Sequence, residues 1–177
     1  MIFLTAVDRE KRKKEFFDMS SAFSVQGPLK TKFLLCSASC NDCKRNICLN
    51  EQKMIELLET VTFQLPDHNI LEINAGFQFD GASIPKICWT SIGHPLEHRF
   101  ILAALLHDAL YLSQYLKRET ADQYFYDFLK DFSGVGTCTA WKMHTGVRLF
   151  GGKAWKEKTE SQIAWARKII TLTGDNV

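Results

Sequence analysis

The residues whose types and setting point to chemistry are three carboxylates and one imidazole: Asp80, His107, Asp108 and Asp122. Two of them interrupt the stretch 101–112, in which every residue except His107, Asp108 and Tyr111 is apolar. A helix that is apolar on all sides is buried, and a buried carboxylate is unfavourable unless it is paired, hydrogen-bonded or bound to a cation. This stretch therefore predicts a polar site in or beside the core.

The spacing of these residues allows two helices to bring them together. His107 and Tyr111 are four residues apart and share one helix face, while Asp108 lies about 100° round the helix from His107. Asp122 falls on the apolar side of the next predicted helix. A short link near Lys117 pairs the two helices in opposite directions, so we expect Asp122 to approach His107.

Asp80 is predicted to join this site from the end of a strand. It opens the segment 80–85, Asp-Gly-Ala-Ser-Ile-Pro. Gly81 adopts backbone conformations denied to other residues and Pro85 fixes one dihedral, so the segment is a shaped loop. Ser83 within it is a candidate for substrate binding and a weaker candidate for a nucleophile, because the Gly-x-Ser-x-Gly elbow is absent.

Two kinds of hydrolytic chemistry fit the predicted cluster. Three carboxylates and one imidazole suit a divalent cation, which would lower the pKa of a bound water and make it a nucleophile near neutral pH. Alternatively, a carboxylate–histidine pair would act as a general base without a metal. In either case Tyr111 and Arg118 are candidates to orient the substrate.

A purely structural role for the same residues is the competing interpretation. Asp80 and Asp122 would then bind backbone amides or pair with Arg118, Arg99 or Arg148. Such a network fixes how helices pack and performs no reaction.

A second candidate site is a cluster of cysteines at Cys36, Cys40, Cys43 and Cys48. Four thiolates within a short loop are enough to hold a structural zinc ion. Disulfides that staple the loop are the alternative, and an extracellular destination would favour them. The spacing of the first three also occurs in iron–sulfur radical enzymes, but a chain of 177 residues is too short for their barrel.

Composition excludes several classes of protein. With 46% hydrophobic and 24% charged residues the chain is typical of a globular protein, and its 13 phenylalanines predict an aromatic-rich core. The net charge of +2 gives no indication of a nucleic-acid partner. The longest apolar run, 100–106, is far shorter than the ~20 residues of a membrane span. These features predict a soluble protein of the cytoplasm.

The pattern predicts an α+β fold in which a short antiparallel sheet packs against a four-helix C-terminal half. Strands are expected at 29–35, 60–65 and 70–79, the last two forming a hairpin around the Pro66-Asp67-His68-Asn69 turn. Helices are expected at 97–116, 119–132, 139–150 and 155–172, with Gly151-Gly152 ending the third. Residues 1–26 are predicted to be an extension, and 27–177 a single domain with a Cys-rich insertion at 36–51.

Four motifs resemble a family found in phages and bacteria, domain of unknown function 1353. They are Phe79–Pro85, Ala103–Tyr111, Arg118-Glu119-x-Ala121-Asp122-x-x-Phe125 and Val147–Gly152 with Trp155. The resemblance covers roughly residues 60–155. The N-terminal extension and the Cys-rich insertion lie outside the short form of the family.

The resemblance implies a phage or prophage origin, and with it a location in the host cytoplasm or an association with the virion, but no established reaction. Our leading hypothesis is a small metal-assisted hydrolase acting on a cell-wall peptide, an amide or a phosphoester. The rival is a non-catalytic virion or host-interaction protein in which the Asp/His cluster is structural. The partners expected are therefore an unidentified substrate, or a phage structural or host protein.

Overall fold

Alternation of apolar and polar residues accounts for the strands. In the computed structural model, which describes residues 23–34, 54–79 and 98–174, the strands are β1 (Ser24–Gln26), β2 (Thr31–Leu34), β3 (Met54–Leu57), β4 (Val61–Gln64), β5 (Ile70–Ile73), β6 (Gln78–Phe79) and β7 (Ile170–Thr173). In β4, Val61 and Phe63 are buried while Thr62 and Gln64 are partly exposed, so one face of the strand meets the core.

The strands of the described residues form two antiparallel sheets. One has the order β1-β4-β5-β7 and the other the order β2-β3-β6. The predicted hairpin is confirmed, with Val61 opposite Ile73 and Gln64 opposite Ile70. The predicted return strand 70–79 is wrong in one respect. A turn at residues 74–77, in which Gly76 has a φ of 90°, divides it into β5 and β6, and these belong to different sheets.

The N-terminal boundary also differs from the prediction. Residues 24–26 were expected in the extension, but β1 pairs with β4 and Phe23 is buried in the core. Gly27 follows at a φ of 97° and its Cα lies so close to Thr60 that an added Cβ would be 2.6 Å from that carbonyl oxygen. A glycine is therefore required where the chain leaves the sheet.

Among the described residues between β6 and β7 there are four α-helices: α1 (His98–Ser113), α2 (Arg118–Asp127), α3 (Thr137–Lys156) and α4 (Glu160–Ile169). The α+β class and the four-helix half are confirmed. None of the described helices is long and apolar enough to cross a membrane.

The second helix ends at Phe132, as predicted, but its last turn, Phe128–Phe132, is π-helical. The predicted boundaries of the next two helices were wrong. The third continues through Gly151-Gly152 to Lys156. The fourth begins at Glu160, where Thr159 forms a capping box with Gln162, and it gives way to β7 because the run Ile-Thr-Leu-Thr alternates as a strand does.

The core lies between the sheets and α1, and aromatic residues are prominent in it, as predicted. Phe128 makes edge-to-face contacts with Phe23 and Phe63, at ring-centroid distances of 5.2 and 5.7 Å. Most of α1 is enclosed, with Leu105, Leu106 and Leu110 fully buried. The apolar stretch around His107 is thus a central helix, and its polar residues must find partners inside the protein.

Candidate functional site

Asp122 is the centre of a buried polar network at the junction of α1, α2 and α3. Its side chain has no exposed surface. The Nε2 atom of His107 lies 3.0 Å from Oδ1 of Asp122, and the hydroxyl of Tyr111 donates a hydrogen bond of 2.5 Å to the same oxygen. His107 and Tyr111 are one turn apart on α1, so both reach a single carboxylate oxygen on α2.

The second oxygen of Asp122 is bound by arginines. Nη1 of Arg148, on α3, donates a hydrogen bond of 3.0 Å to Oδ2, and Nε of Arg118 lies 3.5 Å from the same atom. Arg118 also donates to the Tyr111 hydroxyl at 3.2 Å. A buried carboxylate is stable when several charge-assisted hydrogen bonds replace its lost hydration, and Asp122 meets this condition.

Two glycines of α3 make room for the network. A Cβ at Gly151 would lie 2.6 Å from the hydroxyl of Tyr111, and one at Gly152 would lie 3.1 Å from Nη1 of Arg118. The Nη2 atom of Arg118 donates to the backbone carbonyls of Val147 and Arg148, at 2.9 and 2.6 Å. Helix α3 therefore continues through the Gly-Gly pair, which forms a notch that receives the side chains of α1 and α2.

Aromatic rings enclose the imidazole and the phenol. The ring of His107 lies 4.1 Å from that of Tyr111 and 4.8 Å from that of Phe125, between centroids. Trp155 meets Tyr111 edge-to-face at 5.1 Å. These contacts restrict the rings to one orientation each, so the hydrogen bonds to Asp122 have a fixed geometry.

The surroundings of Asp122 and His107 set their charge states. Burial alone would raise the pKa of Asp122, but the hydrogen bonds from His107, Tyr111 and Arg148 outweigh it and lower that pKa below its usual range. Burial lowers the pKa of His107, against the opposing effect of Asp122. Burial and the bond to Asp122 both raise the pKa of the Tyr111 phenol.

It follows that at neutral pH Asp122 is ionised and His107 is neutral. An ionised carboxylate only accepts hydrogen bonds, so the single ring proton of His107 resides on Nε2. The lone pair then lies on Nδ1. In this tautomer Nδ1 is the nitrogen that can accept a proton from a second group.

The predicted site residues fall into two sets. His107, Tyr111, Arg118 and Asp122 come together, and Arg148 joins them in the way the structural interpretation anticipated. Asp108 is partly buried on α1 and takes part in an interaction of its own. Asp80, Ser83, Cys36, Cys40, Cys43 and Cys48 lie outside the described residues, as does the side chain of Arg99.

The contribution of Gly151 and Gly152 was not predicted, because two consecutive glycines are typical of a helix end. The signal that could have suggested a close contact between helices is the position of the two glycines. Gly151 is four residues after Val147 and Gly152 is three residues after Leu149, so both continue the helical spacing of apolar residues.

The described part of the site does not fit a cation on Asp122. Both of its oxygens are bound, and Arg118 and Arg148 already neutralise its charge. Within residues 23–34, 54–79 and 98–174, no group of three or more His, Cys, Asp or Glu side chains is placed to hold a metal ion. We therefore derive no reaction step through a metal at this carboxylate.

Fold and site together define an α+β protein with a helix junction organised around one buried carboxylate. A family model described as "Protein of unknown function (DUF1353)" matches residues 55–147, which is more than half of the chain. The chain therefore belongs to this family. No curated protein and no solved structure matches the chain.

Proposed function

We propose that this chain is a small phage- or prophage-associated hydrolase in which His107 is the general base. The observation that carries the proposal is the 3.0 Å contact between Nε2 of His107 and Oδ1 of Asp122. It keeps the proton on Nε2 and the lone pair on Nδ1, so His107 can accept a proton from an attacking water. The substrate classes are those expected from the sequence, a cell-wall peptide, an amide or a phosphoester.

In this proposal Asp122 orients the imidazole and stabilises the imidazolium that forms when His107 takes up a proton. Tyr111 and Arg118 were expected to orient substrate. Their polar atoms are instead bound within the network, so we assign them the positioning of Asp122. The lowered pKa of His107 favours the neutral form that a base requires at neutral pH.

The test compares two histidines of the same neighbourhood. His107→Gln keeps a donor for Asp122 but removes the basic nitrogen. His144→Gln is the matched control, since His144 also has a pKa lowered by burial but packs on Tyr126, at 5.4 Å between ring centroids. Both variants and the parent are assayed on nitrophenyl phosphodiesters, peptide nitroanilides and purified peptidoglycan.

We expect His107→Gln to lower kcat/KM by about 100-fold or more on the accepted substrate class, with His144→Gln within a few-fold of the parent. Equal turnover by the parent and His107→Gln would disprove the role of His107. The unfolding temperature of each variant shows whether a loss of turnover reflects loss of the fold.

A non-catalytic virion or host-interaction protein is the second candidate. It is favoured by the complete burial of Asp122 and by the occupation of both its oxygens, which suits a group that joins three helices. No turnover on any of the three substrate classes, with His107→Gln lowering the unfolding temperature, is the result that supports this candidate.

Metal remains part of the proposal in two forms. One is a catalytic cation, whose carboxylate ligands would be Asp80 and Asp108 because both oxygens of Asp122 are already bound. The other is a structural zinc ion, whose ligands would be the four clustered cysteines. Elemental analysis of the protein purified without added metal, beside a variant with Cys36, Cys40, Cys43 and Cys48 changed to Ser, separates them. Metal that persists in the variant supports an ion outside the cysteines, and metal lost with them supports the zinc.

A further inference from the structure

The outward face of α3 carries large apolar side chains in water. Trp141, Leu149 and Phe150 are 60%, 70% and 69% exposed. At 100° per residue, Leu149 lies near the middle of this face and the other two lie at its edges, about 180° apart. Leu149 and Phe150 are adjacent in the helix, and adjacent large hydrophobic groups that stay exposed indicate a surface that meets another apolar phase.

The same face is basic. Lys142, Lys153 and Lys156 are exposed between the apolar residues, and α3 contains no aspartate or glutamate. Glu157, directly after the helix, lies 3.7 Å from Lys153 in an exposed pair. An exposed pair of this kind is weak, so the face keeps a positive charge over a length of about 22 Å.

We propose that this face docks on the surface of an anionic phospholipid bilayer. Leucine points into the boundary between headgroups and acyl chains, tryptophan and phenylalanine lie at headgroup level on the two flanks of the helix, and the lysine ammonium groups reach the lipid phosphates. The helix lies in the plane of the interface. Arg148, about 100° round the helix from Leu149, stays bound to Asp122, so docking leaves the buried network intact.

The charges favour a lipid surface over the other occupants. A second copy of the chain would bring two sets of lysines together, which opposes association. A nucleic acid would satisfy the lysines but would offer little apolar surface to Leu149 and Phe150. An anionic bilayer satisfies both sets of residues at once.

The experiment is flotation of the full chain with vesicles of phosphatidylcholine alone or with phosphatidylglycerol added. The apolar variant is Leu149→Ser with Phe150→Ser, and the charge variant is Lys142→Gln, Lys153→Gln and Lys156→Gln. The matched controls are Leu58→Ser and Lys168→Gln, exposed residues of the same types elsewhere on the protein.

We expect the parent and both controls to bind vesicles that contain phosphatidylglycerol. The apolar variant should lose about tenfold or more in partition coefficient. The charge variant should lose about 100-fold, from roughly fivefold per lysine. Binding of the parent to neutral vesicles alone, or no binding to either vesicle, would overturn the proposal.

Two further results would replace this partner with another. If the parent sediments as a dimer and the apolar variant as a monomer, the face joins two copies of the chain. If the parent protein retards single- or double-stranded DNA in a gel and floats with no vesicle, the lysines bind a nucleic acid. Since the substituted side chains are exposed, all variants should unfold cooperatively near the temperature of the parent.

Discussion

The two sides of α3 carry different sets of residues. Its inner side combines buried Ala140 and Met143 with Arg148, which binds Asp122, whereas its outer side presents Leu149 and Phe150 to solvent. Surface helices ordinarily turn apolar residues inward, and only the inner side of α3 follows this pattern fully. The difference teaches that contacts within the protein account for the residues of the inner side, whereas no such contact accounts for the apolar residues of the outer side.

Removal of the buried charge should have the largest effect. Asp122→Ala leaves His107, Tyr111 and Arg148 without their common acceptor, so we expect the free energy of unfolding to fall by about 3–5 kcal/mol. Urea denaturation measures it. The control is Asp127→Ala on the same helix, whose carboxylate accepts hydrogen bonds from Gln123 at the surface and should change stability by less than ~0.5 kcal/mol. Similar losses in both variants would mean that Asp122 is no more important than a surface acid.

A methyl group in the notch should have the next largest effect. Gly151→Ala places a Cβ against the hydroxyl of Tyr111, so we expect a loss of about 1–3 kcal/mol. Gly146→Ala, on the same helix with open space around it, should instead stabilise the protein by about 0.5–1 kcal/mol.

Tyr111→Phe removes the atom that the new methyl group meets. In that background the cost of Gly151→Ala should shrink, and a double-mutant cycle gives the coupling energy between the two positions. A cost that is the same in both backgrounds would show that the notch serves another neighbour.

Stability should also depend on pH through the buried histidine. Because the pKa of His107 is lowered in the folded state, the unfolded chain binds more protons below about pH 6.5. The free energy of unfolding should therefore fall as pH decreases from 7 to 5, by roughly 1 kcal/mol per unit at most for this residue.

The variants His144→Gln and His107→Gln separate the contributions of the two histidines to this pH dependence, since His144 has a lowered pKa as well. Each variant should have a shallower slope than the parent between pH 7 and 5. Asp122 adds a further loss only at lower pH, because its own lowered pKa keeps it ionised in this range. An unchanged slope in His107→Gln would contradict the neutral state assigned to that residue.

The outer side should respond least. Leu149→Ser removes a side chain that is 70% exposed, so we expect the free energy of unfolding to stay within about 0.5 kcal/mol of the parent. The same measurement on Leu105→Ser, fully buried in α1, should show a loss of several kcal/mol. A large loss at Leu149 would mean that this residue belongs to the core.

Local pattern was enough to predict the four helices and the strands β2, β4 and β5, whereas β1, β3 and β7 were not predicted. The uninterrupted apolar run of α1 indicated a buried helix with polar residues inside it, and that prediction is confirmed for its position in the core. The hairpin of β4 and β5 followed from alternation and turn residues. These features depend on neighbours in the chain, which a sequence displays directly.

The errors arose where distant residues override local preference. Gly151-Gly152 favours a helix end, but contacts with Tyr111 and Arg118 stabilise a continuous helix there. The run 70–79 favours one strand, yet its two ends pair with different sheets. The prediction that Asp122 lies on the apolar side of α2 was correct. Which arginine pairs with Asp122 depends on how α3 crosses α2, and local sequence pattern gives no information about that crossing.

The pairing of β5 with β7 has a consequence for how this chain folds. Ile73 lies opposite Ile170. The four described helices therefore lie, in sequence, between two strands that are neighbours in one sheet. Until β7 has been synthesised, β5 has an open edge of the kind that attracts other chains. Contacts between residues this far apart in sequence form late and slow folding. A ribosome-bound chain that has completed α3 but not β7 should therefore be the stage at which this protein is most prone to aggregate.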